Sequence, residues 1–164
     1  MQTGLESVFL CLKFMITLRI PTDADVKALT DNLRDGDRQE LQASFTVGVQ
    51  DAIAGSVDSS AFCRAAILNG RVIGIFGLRE LSVNEAMPWM LGTDELALNK
   101  KVFVSQVKKH LAQWFSLYST LSNYVDYRNT LSIRWLKALG FSMSGKYIFP
   151  HSGQPFYKFS QTVN

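Results

Sequence analysis

Apolar and polar residues alternate as in a strand near the start of the chain and then change to helical spacing. Met15–Ile20 is typical of a strand, which the following proline ends. Thr22 then begins a helix, since Asp25, three residues later, completes a capping box. We expect Asp35–Asp37 to break this helix. Glu40, three residues after the last of these acids, repeats the capping spacing and predicts a second short helix.

The clearest local signal in the sequence is a β-hairpin. Ala61–Leu68 and Arg71–Leu78 are strand-like and are joined by Asn69-Gly70, a pair that accepts positive φ at both positions of a two-residue turn. Glu85–Leu91 is the next strand. It is interrupted by Pro88, which cannot donate a hydrogen bond to a neighbouring strand. We therefore expect a bulge or an open sheet edge at this proline.

The rest of the chain continues the same two periodicities. From Phe103, apolar residues recur at i, i+4, i+8, i+11, i+12 and i+15, which predicts an amphipathic helix. The remaining predicted elements are a third helical turn within 46–60, a polar loop Gly92–Lys100, a strand Leu121–Asp126, a helix Asn129–Leu139 and strands Phe141–Phe149 and Pro155–Phe159. The order β-α-α-β-β-β-α-β-α-β-β contains both hairpins and helical crossovers, and it predicts one α/β domain with a mixed sheet.

Composition and charge narrow the class of function only slightly. The 164 residues are 47% hydrophobic and 19% charged, which excludes a disordered chain, a collagen and a coiled coil. Residues 1–95 carry eight basic and thirteen acidic side chains, whereas 96–164 carry nine basic and one acidic. This asymmetry favours an anionic partner for the second half, such as a polyphosphate cofactor, nucleic acid or an acidic protein. Uneven surface solvation is the alternative.

Cysteine usage and the first residues bear on the compartment. Cys11 and Cys63 cannot form a disulfide framework, no Cys/His cluster suggests a metal site, and a reducing, cytoplasmic-type compartment is expected. Residues 1–14 lack the features of a signal peptide, and no apolar run reaches the length of a membrane span. We expect 1–14 to be a disordered or loosely docked extension, with a peripheral membrane anchor as the alternative, and 15–164 to form the domain.

A motif late in the chain resembles the GCN5-related N-acetyltransferase (GNAT) family. The segment NTLSIRWLKALGF, from Asn129 to Phe141, is similar to the family's late helix, in which Asn opens the helix and Gly-Phe closes it. The predicted order of elements also looks like the GNAT fold. The resemblance implies a single GNAT-like α/β domain, whose mixed, mostly antiparallel sheet is flanked by helices.

A closer resemblance covers nearly the whole chain from Met15 onward. It is to small GNAT-like proteins of short-tailed phages, the internal virion protein A group. The segments that carry it are Leu33–Glu40, Pro88–Asp94, Leu121–Asn129 running into Ser132–Lys137, and Gly153–Phe156. This resemblance implies a location in the host cell cytoplasm or in the virion. It also implies that residues 1–14 come from an upstream start codon.

The GNAT resemblance implies acetyl-CoA as the cofactor. The resemblance implies that the pantetheine arm lies in a splayed gap beside the fourth strand, and the pyrophosphate on backbone N–H groups at the start of the long helix. The implied cofactor-binding residues are Trp89, Met90, Leu91 and Gly92 for the arm, Asn99, Lys100 and Lys101 for the phosphates, and Asn129 and Ser132 on the late helix. Helix capping is the alternative role of Asn129, and solvated surface charge is that of the two lysines.

Two departures from the family pattern bear on activity. The family's phosphate loop normally reads R/Q-x-x-G-x-G/A, whereas no glycine follows Gly92 in this region. Leu136 stands where the family has a tyrosine that serves as general acid. Candidate catalytic residues are Glu80 and Glu85 as bases and Tyr127 as acid, with surface or packing roles as the alternative.

These features lead to three functional hypotheses. The first is an acetyl-CoA-dependent N-acetyltransferase that acts on a host or phage amine. The acceptor cleft would be shaped by Arg34, Asp37, Arg38 and Glu40, which capping and surface pairing also explain. The second is a non-catalytic virion-associated or morphogenesis protein that keeps the fold. The third, a nucleic-acid binder, is disfavoured because the aromatic residues of the basic half are needed for the core. Catalytic competence, the acceptor and the oligomeric state are left open.

Overall fold

Seven strands form one sheet in the computed structural model, which describes residues 15–164. The strands are β1 (Thr17–Arg19), β2 (Phe62–Leu68), β3 (Arg71–Glu80), β4 (Glu85–Gly92), β5 (Thr120–Asp126), β6 (Ser142–Ile148) and β7 (Pro155–Thr162). The helices are α1 (Asp23–Asn32), α2 (Asp35–Ser44), α3 (Val49–Asp58), α4 (Asp94–Leu98), α5 (Lys100–Phe115) and α6 (Thr130–Ala138). The sheet order is β1-β2-β3-β4-β5-β7-β6, in which β4 and β5 run parallel and the other neighbours antiparallel. The expected fold class is confirmed.

Helices cover both faces of the sheet, and each face has its own apolar core. On one face, α1, α2 and α3 bury Leu29, Leu41 and Ile53 against the strands. On the other face, α5 and α6 bury Phe103 and Trp135. Burial of a large apolar side chain stabilises a fold by roughly 1.5–3 kcal/mol. These two layers fix the positions of β4 and β5, between which the candidate site lies.

Sequence signals that act between near neighbours are confirmed. Thr22 and Asp25 form the capping box of α1, in which the Thr22 N–H donates to Asp25 Oδ2 at 2.8 Å. The predicted hairpin joins β2 to β3, and Asn69 and Gly70 have φ values of 52° and 76°. Both signals span four residues or fewer, so the rest of the fold has little influence on them.

The second helix begins earlier than the sequence pattern predicts. The expected break at Asp35–Asp37 is wrong, because these residues form the first turn of α2 and the chain is extended at Leu33 instead. Leu33 is held there by a β-bridge to Thr93, just after β4. Asp37 and Glu40 therefore lie inside the helix rather than in a capping box, and their side chains reach other elements.

The segment after β4 is also more regular than expected. Part of the predicted polar loop forms the short helix α4. Leu96 anchors this helix in the core and lies so close to Gly92 that a Cβ there would stand 2.3 Å from Leu96 Cδ2. A single apolar anchor among polar neighbours gives no helical periodicity, which is why the pattern indicated a loop.

Pro88 lies at an open edge of β4 rather than in a bulge. The register between β3 and β4 continues unbroken across Pro88, which lies opposite Leu78. On its other side, β4 pairs with β5 only through Glu85 and Ala86, so Pro88 lies beyond the end of that ladder. A residue without an N–H is tolerated there because no neighbouring strand needs the donor.

The predictions made for residues 1–14 lie outside the described residues. Between residues 15 and 164, no helix is long and apolar enough to cross a membrane. The same part of the chain holds no group of His, Cys, Asp and Glu side chains that could bind a metal ion.

Candidate functional site

A gap between two strands of the sheet forms the candidate site. The parallel strands β4 and β5 pair at Glu85–Thr120 and Ala86–Leu121 and make no further pairs toward their C-terminal ends. A cavity of about 670 Å³ occupies this gap. Residues of α2 and α3 line it on one face of the sheet, and residues of α5 and α6 line it on the other. Small-molecule sites have volumes of about 300–1,000 Å³, so the cavity is large enough for a ligand.

Alternate backbone groups of β4 face the gap. The C=O of Pro88 accepts a hydrogen bond from Asn123 Nδ2, across the gap on β5, at 3.0 Å. At the end of the strand, the Gly92 N–H donates to Asp37 Oδ2 at 2.9 Å. Met90 lies midway between these two residues, so its N–H and C=O face the same way. Among residues 15–164, no side chain or loop forms a hydrogen bond with them, and Met90 lines the cavity.

A buried polar network links α2 to the start of α6 at the wide end of the gap. Asn129 Nδ2 donates to Asp37 Oδ1 at 3.0 Å and to Glu40 Oε2 at 3.1 Å. Asn129 Oδ1 accepts from Arg34 Nη2 at 3.1 Å, and the same nitrogen lies 3.1 Å from Ser132 Oγ. Both amide protons and the amide oxygen of Asn129 are thus used inside the protein. Its side chain makes no capping bond to α6, so the capping alternative is wrong.

The acidic and basic cluster predicted near α2 divides between two places. Arg34 and Asp37 pair at 2.5 Å with side chains that are 11% and 5% exposed, so they are not a surface pair. Glu40 joins them in the network through Asn129. Arg38 points elsewhere and donates to the C=O of Thr30, at the end of α1.

Burial raises the pKa values of two acids in this network. The Glu40 carboxyl is desolvated and faces the charge of Asp37, and together these effects raise its pKa to about 8. The Asp126 N–H, 3.0 Å from Glu40 Oε2, acts in the opposite direction by binding the carboxylate. Burial also raises the pKa of Asp37, although Arg34 favours its charged form. At neutral pH, Glu40 is therefore mostly a neutral carboxylic acid.

Aromatic residues wall the cavity on the α2–α3 face. Phe45 follows α2, Tyr124 lies on β5, and Phe149 follows β6. The rings of Tyr124 and Phe149 meet edge to face with centroids 5.6 Å apart. Ser152 Oγ donates to the C=O of Ala43 at 2.9 Å, which holds the β6–β7 loop against the end of α2. The sequence did not single out Phe45 for this site, because no local feature separates it from a core aromatic residue.

Several of the residues predicted to bind the cofactor meet around the gap. Those that line the cavity are Trp89, Met90, Leu91 and Ser132. Trp89 is fixed by a hydrogen bond from its Nε1 to Ser60 Oγ at 2.8 Å. Gly92 and Asn129 are not part of the lining. Asn129 bonds to Glu40, which lines the cavity, and Gly92 is linked to Asn129 through Asp37.

The residues predicted to hold the phosphates lie outside the cavity lining, between α4 and α5. Asn99 is the last residue before α5, and its Nδ2 donates to the C=O of Glu95 at 2.9 Å. Lys100 and Lys101 form the first turn of α5 and are exposed to solvent. The two lysines thus place positive side chains at the N-terminus of α5.

The three predicted catalytic residues also lie outside the cavity lining. Glu80 ends β3 and accepts a hydrogen bond from the hydroxyl of Tyr118 at 2.6 Å. Glu85 begins β4, at the narrow end of the gap, and accepts from Ser122 Oγ at 2.5 Å. Tyr127 is 47% exposed, just after β5. Their catalytic roles stay predictions.

Solved acetyltransferases share this architecture. An acetyltransferase of the GNAT family from Bacillus anthracis has a TM-score of 0.65 and 15% identity over 90% of this chain and 94% of that chain. The aminoglycoside acetyltransferase AAC(6')-Ib, solved in complex with coenzyme A, has a TM-score of 0.64 and 21% identity over 90% and 95%. The ribosomal-protein-alanine N-acetyltransferase from Brucella melitensis has a TM-score of 0.62 and 14% identity over 90% and 99%.

Sequence comparison alone identifies no relative. No protein-family model and no curated protein matches the chain. The resemblance to the phage proteins therefore stays a prediction. At the low identities of the solved structures, the shared feature is the arrangement of the chain in space. The protein has the GNAT fold.

Proposed function

We propose that the protein is an acetyl-CoA-dependent N-acetyltransferase. From the sequence resemblance, we further propose that a phage encodes it and that its acceptor is a host or phage amine. The observation that carries the proposal is the gap between β4 and β5, with the backbone of Met90 unpaired at its edge and a cavity that reaches both faces of the sheet. Such a cavity admits an acyl donor and an acceptor from opposite sides.

The residues of the gap fit the pantetheine arm of CoA. That arm is extended and carries amide groups, so it can pair with a free strand edge as an added strand does. Met90 offers one N–H and one C=O at that edge, and Leu136, Leu139 and Trp135 supply an apolar wall on the α6 side. The solved relative AAC(6')-Ib was found in complex with coenzyme A, which supports the same ligand here.

The fit to the pyrophosphate is less complete. The N-terminus of α5, a helix of 16 residues, offers backbone N–H groups and a partial positive charge, and Lys100 and Lys101 add charge. However, the helix α4 stands where the family has a glycine-rich loop, and its last residue, Leu98, is 85% exposed. We propose that phosphate binding here depends more on the lysines than on close backbone contact.

The chemistry requires proton transfer by groups of the chain. Bound acetyl-CoA supplies the thioester carbonyl, and the acceptor must present a neutral nitrogen to it. Glu80 and Glu85 are the bases proposed from the sequence, and Tyr127 the acid. Leu136 lines the cavity at the position of the family's acid and cannot donate a proton. Transfer would then proceed with less acid catalysis, a contribution that is typically about 10²–10⁴-fold in rate.

Thermal unfolding with and without acetyl-CoA tests the proposal, with ATP as the polyphosphate control. A ligand at about 100 times its Kd adds roughly 2.7 kcal/mol to the free energy of unfolding, which raises Tm by several degrees. We expect this shift with acetyl-CoA and none with ATP. Leu136→Trp, which fills the gap, should abolish the shift. Leu117→Trp is the matched control, because Leu117 is 69% exposed and outside the cavity lining. Equal shifts with both nucleotides would indicate only a basic patch.

A second candidate is a non-catalytic virion-associated or morphogenesis protein. It is favoured by the polar network, since Asn129 has no free amide group left for a cofactor. This role predicts that a phage lacking the gene forms defective particles and that the Leu136→Trp variant restores them. An absence of any Tm shift with acetyl-CoA, together with such rescue, would replace the first proposal by the second.

A further inference from the structure

The cavity combines a free oxygen of the Glu40 carboxyl with an aromatic wall. We propose that the acceptor is a primary amine carried on an apolar, ring-sized body, with its nitrogen at Glu40 Oε1 and its body against Phe45, Tyr124 and Phe149. This inference rests on the proposed transferase function and names its substrate class. It concerns binding and can be tested without acetyl-CoA.

The two oxygens of Glu40 have different surroundings. Oε2 accepts from Asn129 Nδ2 at 3.1 Å and from the Asp126 N–H at 3.0 Å, which fixes the carboxyl group. Oε1 accepts no hydrogen bond from any residue in the range 15–164, and Glu40 lines the cavity. A buried carboxyl with one fixed and one free oxygen is suited to bind a donor from a ligand.

The aromatic wall of the cavity indicates that the body of the ligand is apolar. Phe45 is 40% exposed at the α2–α3 mouth of the cavity, and Tyr124 and Phe149 continue the apolar surface inward. Besides Glu40, the charged residues of the lining are Asp51 and Arg79. Because these two have opposite charges, they give little net attraction to a polycation. The site is therefore matched to an amine with one charge and an apolar body.

Binding of an ammonium group should expel a proton from Glu40. The charged groups that act on Glu40 are Asp37 from its own helix and Asp126 from β5. Asp37 is paired with Arg34, and Asp126 with Arg128 at 2.8 Å. Burial and Asp37 keep Glu40 protonated at neutral pH. An ammonium at Oε1 favours the carboxylate, so the carboxyl proton leaves to solvent while the ligand keeps its own.

Calorimetric titration with 2-phenylethylamine tests this inference directly. Its Kd should be at least about tenfold lower than those of spermidine, which lacks the ring, and 2-phenylethanol, which lacks the amine. Titration in buffers of different ionisation enthalpy should show about one proton released per amine at pH 7 and close to none at pH 9. The amide of the tripeptide Phe-Gly-Gly carries the same ring and amine at a chain end. Tight binding of that peptide would support a polypeptide terminus as the source of the amine.

Variants assign the effects to residues. Glu40→Gln keeps an oxygen that can accept from Asn129 and from the Asp126 N–H. It should raise the Kd of 2-phenylethylamine by about tenfold to a hundredfold and abolish proton release. Phe45→Ala should raise the Kd of 2-phenylethylamine several-fold and leave proton release unchanged. Asp58→Asn, an exposed acid at the end of α3 outside the lining, is the matched control and should change neither.

Two results would overturn the inference. One is equal or tighter binding of spermidine or 2-phenylethanol, and the other is full binding by Glu40→Gln. Either result, together with a Tm shift from acetyl-CoA, removes the substrate class and leaves the transferase proposal standing. Amine binding as expected without any effect of acetyl-CoA would keep the amine site and remove the transferase.

Discussion

At the scale of single residues, Glu40 should make the free energy of unfolding of this protein depend on pH. Its pKa is about 8 in the folded protein because of burial and Asp37, against 4.5 in the unfolded chain. The stabilisation from the protonated form is complete below pH 4.5 and is lost as the pH rises through 8. Relative to wild type, Glu40→Gln should therefore gain stability between about pH 4.5 and pH 8 and change little above that. The full gain should be no more than roughly 5 kcal/mol, because the two pKa values differ by about 3.5 and one pKa unit is worth about 1.36 kcal/mol.

Urea unfolding at a series of pH values measures this difference. Burial is the largest cause of the raised pKa of Asp37, and the substitution leaves that burial in place, so the difference between the two curves reports mainly on Glu40. Asp58→Asn should run parallel to wild type over the same range. A Glu40→Gln curve parallel to wild type would show that the Glu40 carboxyl is ionised at the same pH in the folded and unfolded chain.

Single residues also show where the sequence is informative. Pro88 predicted a bulge or an open edge because proline lacks the N–H whatever the rest of the chain does, and the structure has the open edge. The contacts of Asn129 were not predictable, since its partners Asp37 and Glu40 lie 92 and 89 residues away. Burial decides whether such side chains face one another or solvent, and burial is a property of the assembled fold.

At the scale of elements, the free edge of β4 should be visible in amide hydrogen exchange. Trp89 and Leu91 turn their N–H groups toward β3, whereas Met90 turns its N–H into the gap. We expect the Met90 amide to exchange at least about tenfold faster than both neighbours in the free protein. Saturating acetyl-CoA should slow Met90 selectively. Equal exchange at the three positions, measured by NMR, would mean that the edge is covered in solution.

The sequence predicted those elements whose bounds are determined by residues close together in the chain. The hairpin and the capping box of α1 depend on two to four residues each. The start of α2 depends on the bridge between Leu33 and Thr93. The position of α4 depends on Gly92, because only a residue without a Cβ leaves room there for the Leu96 side chain. Both are contacts between distant or differently folded segments, so periodicity within a window could not find them.

At the scale of the whole molecule, the order of elements predicted one α/β domain with a mixed sheet, because it contains both hairpins and helical crossovers, and the GNAT arrangement was expected through resemblance. The opening between β4 and β5 was expected only through resemblance. In the structure it follows from a parallel ladder of two residue pairs, after which helices on both faces hold the strands apart. The cavity is therefore lined by residues from both faces of the sheet.

A cavity lined from both faces of the sheet predicts that two ligands bind at once. Coenzyme A would enter beside α5 and α6, and the amine would enter beside α2 and α3, so neither needs to leave before the other binds. The Kd of 2-phenylethylamine should change by less than about threefold when coenzyme A is saturating, because linked sites with no shared contacts have little coupling. Calorimetry in the presence and absence of coenzyme A measures this, with Leu136→Trp as the variant that should lose coenzyme A and keep the amine. Mutual exclusion of the two ligands would mean that they compete for one side of the cavity, and the α2–α3 face would then be the entrance for both.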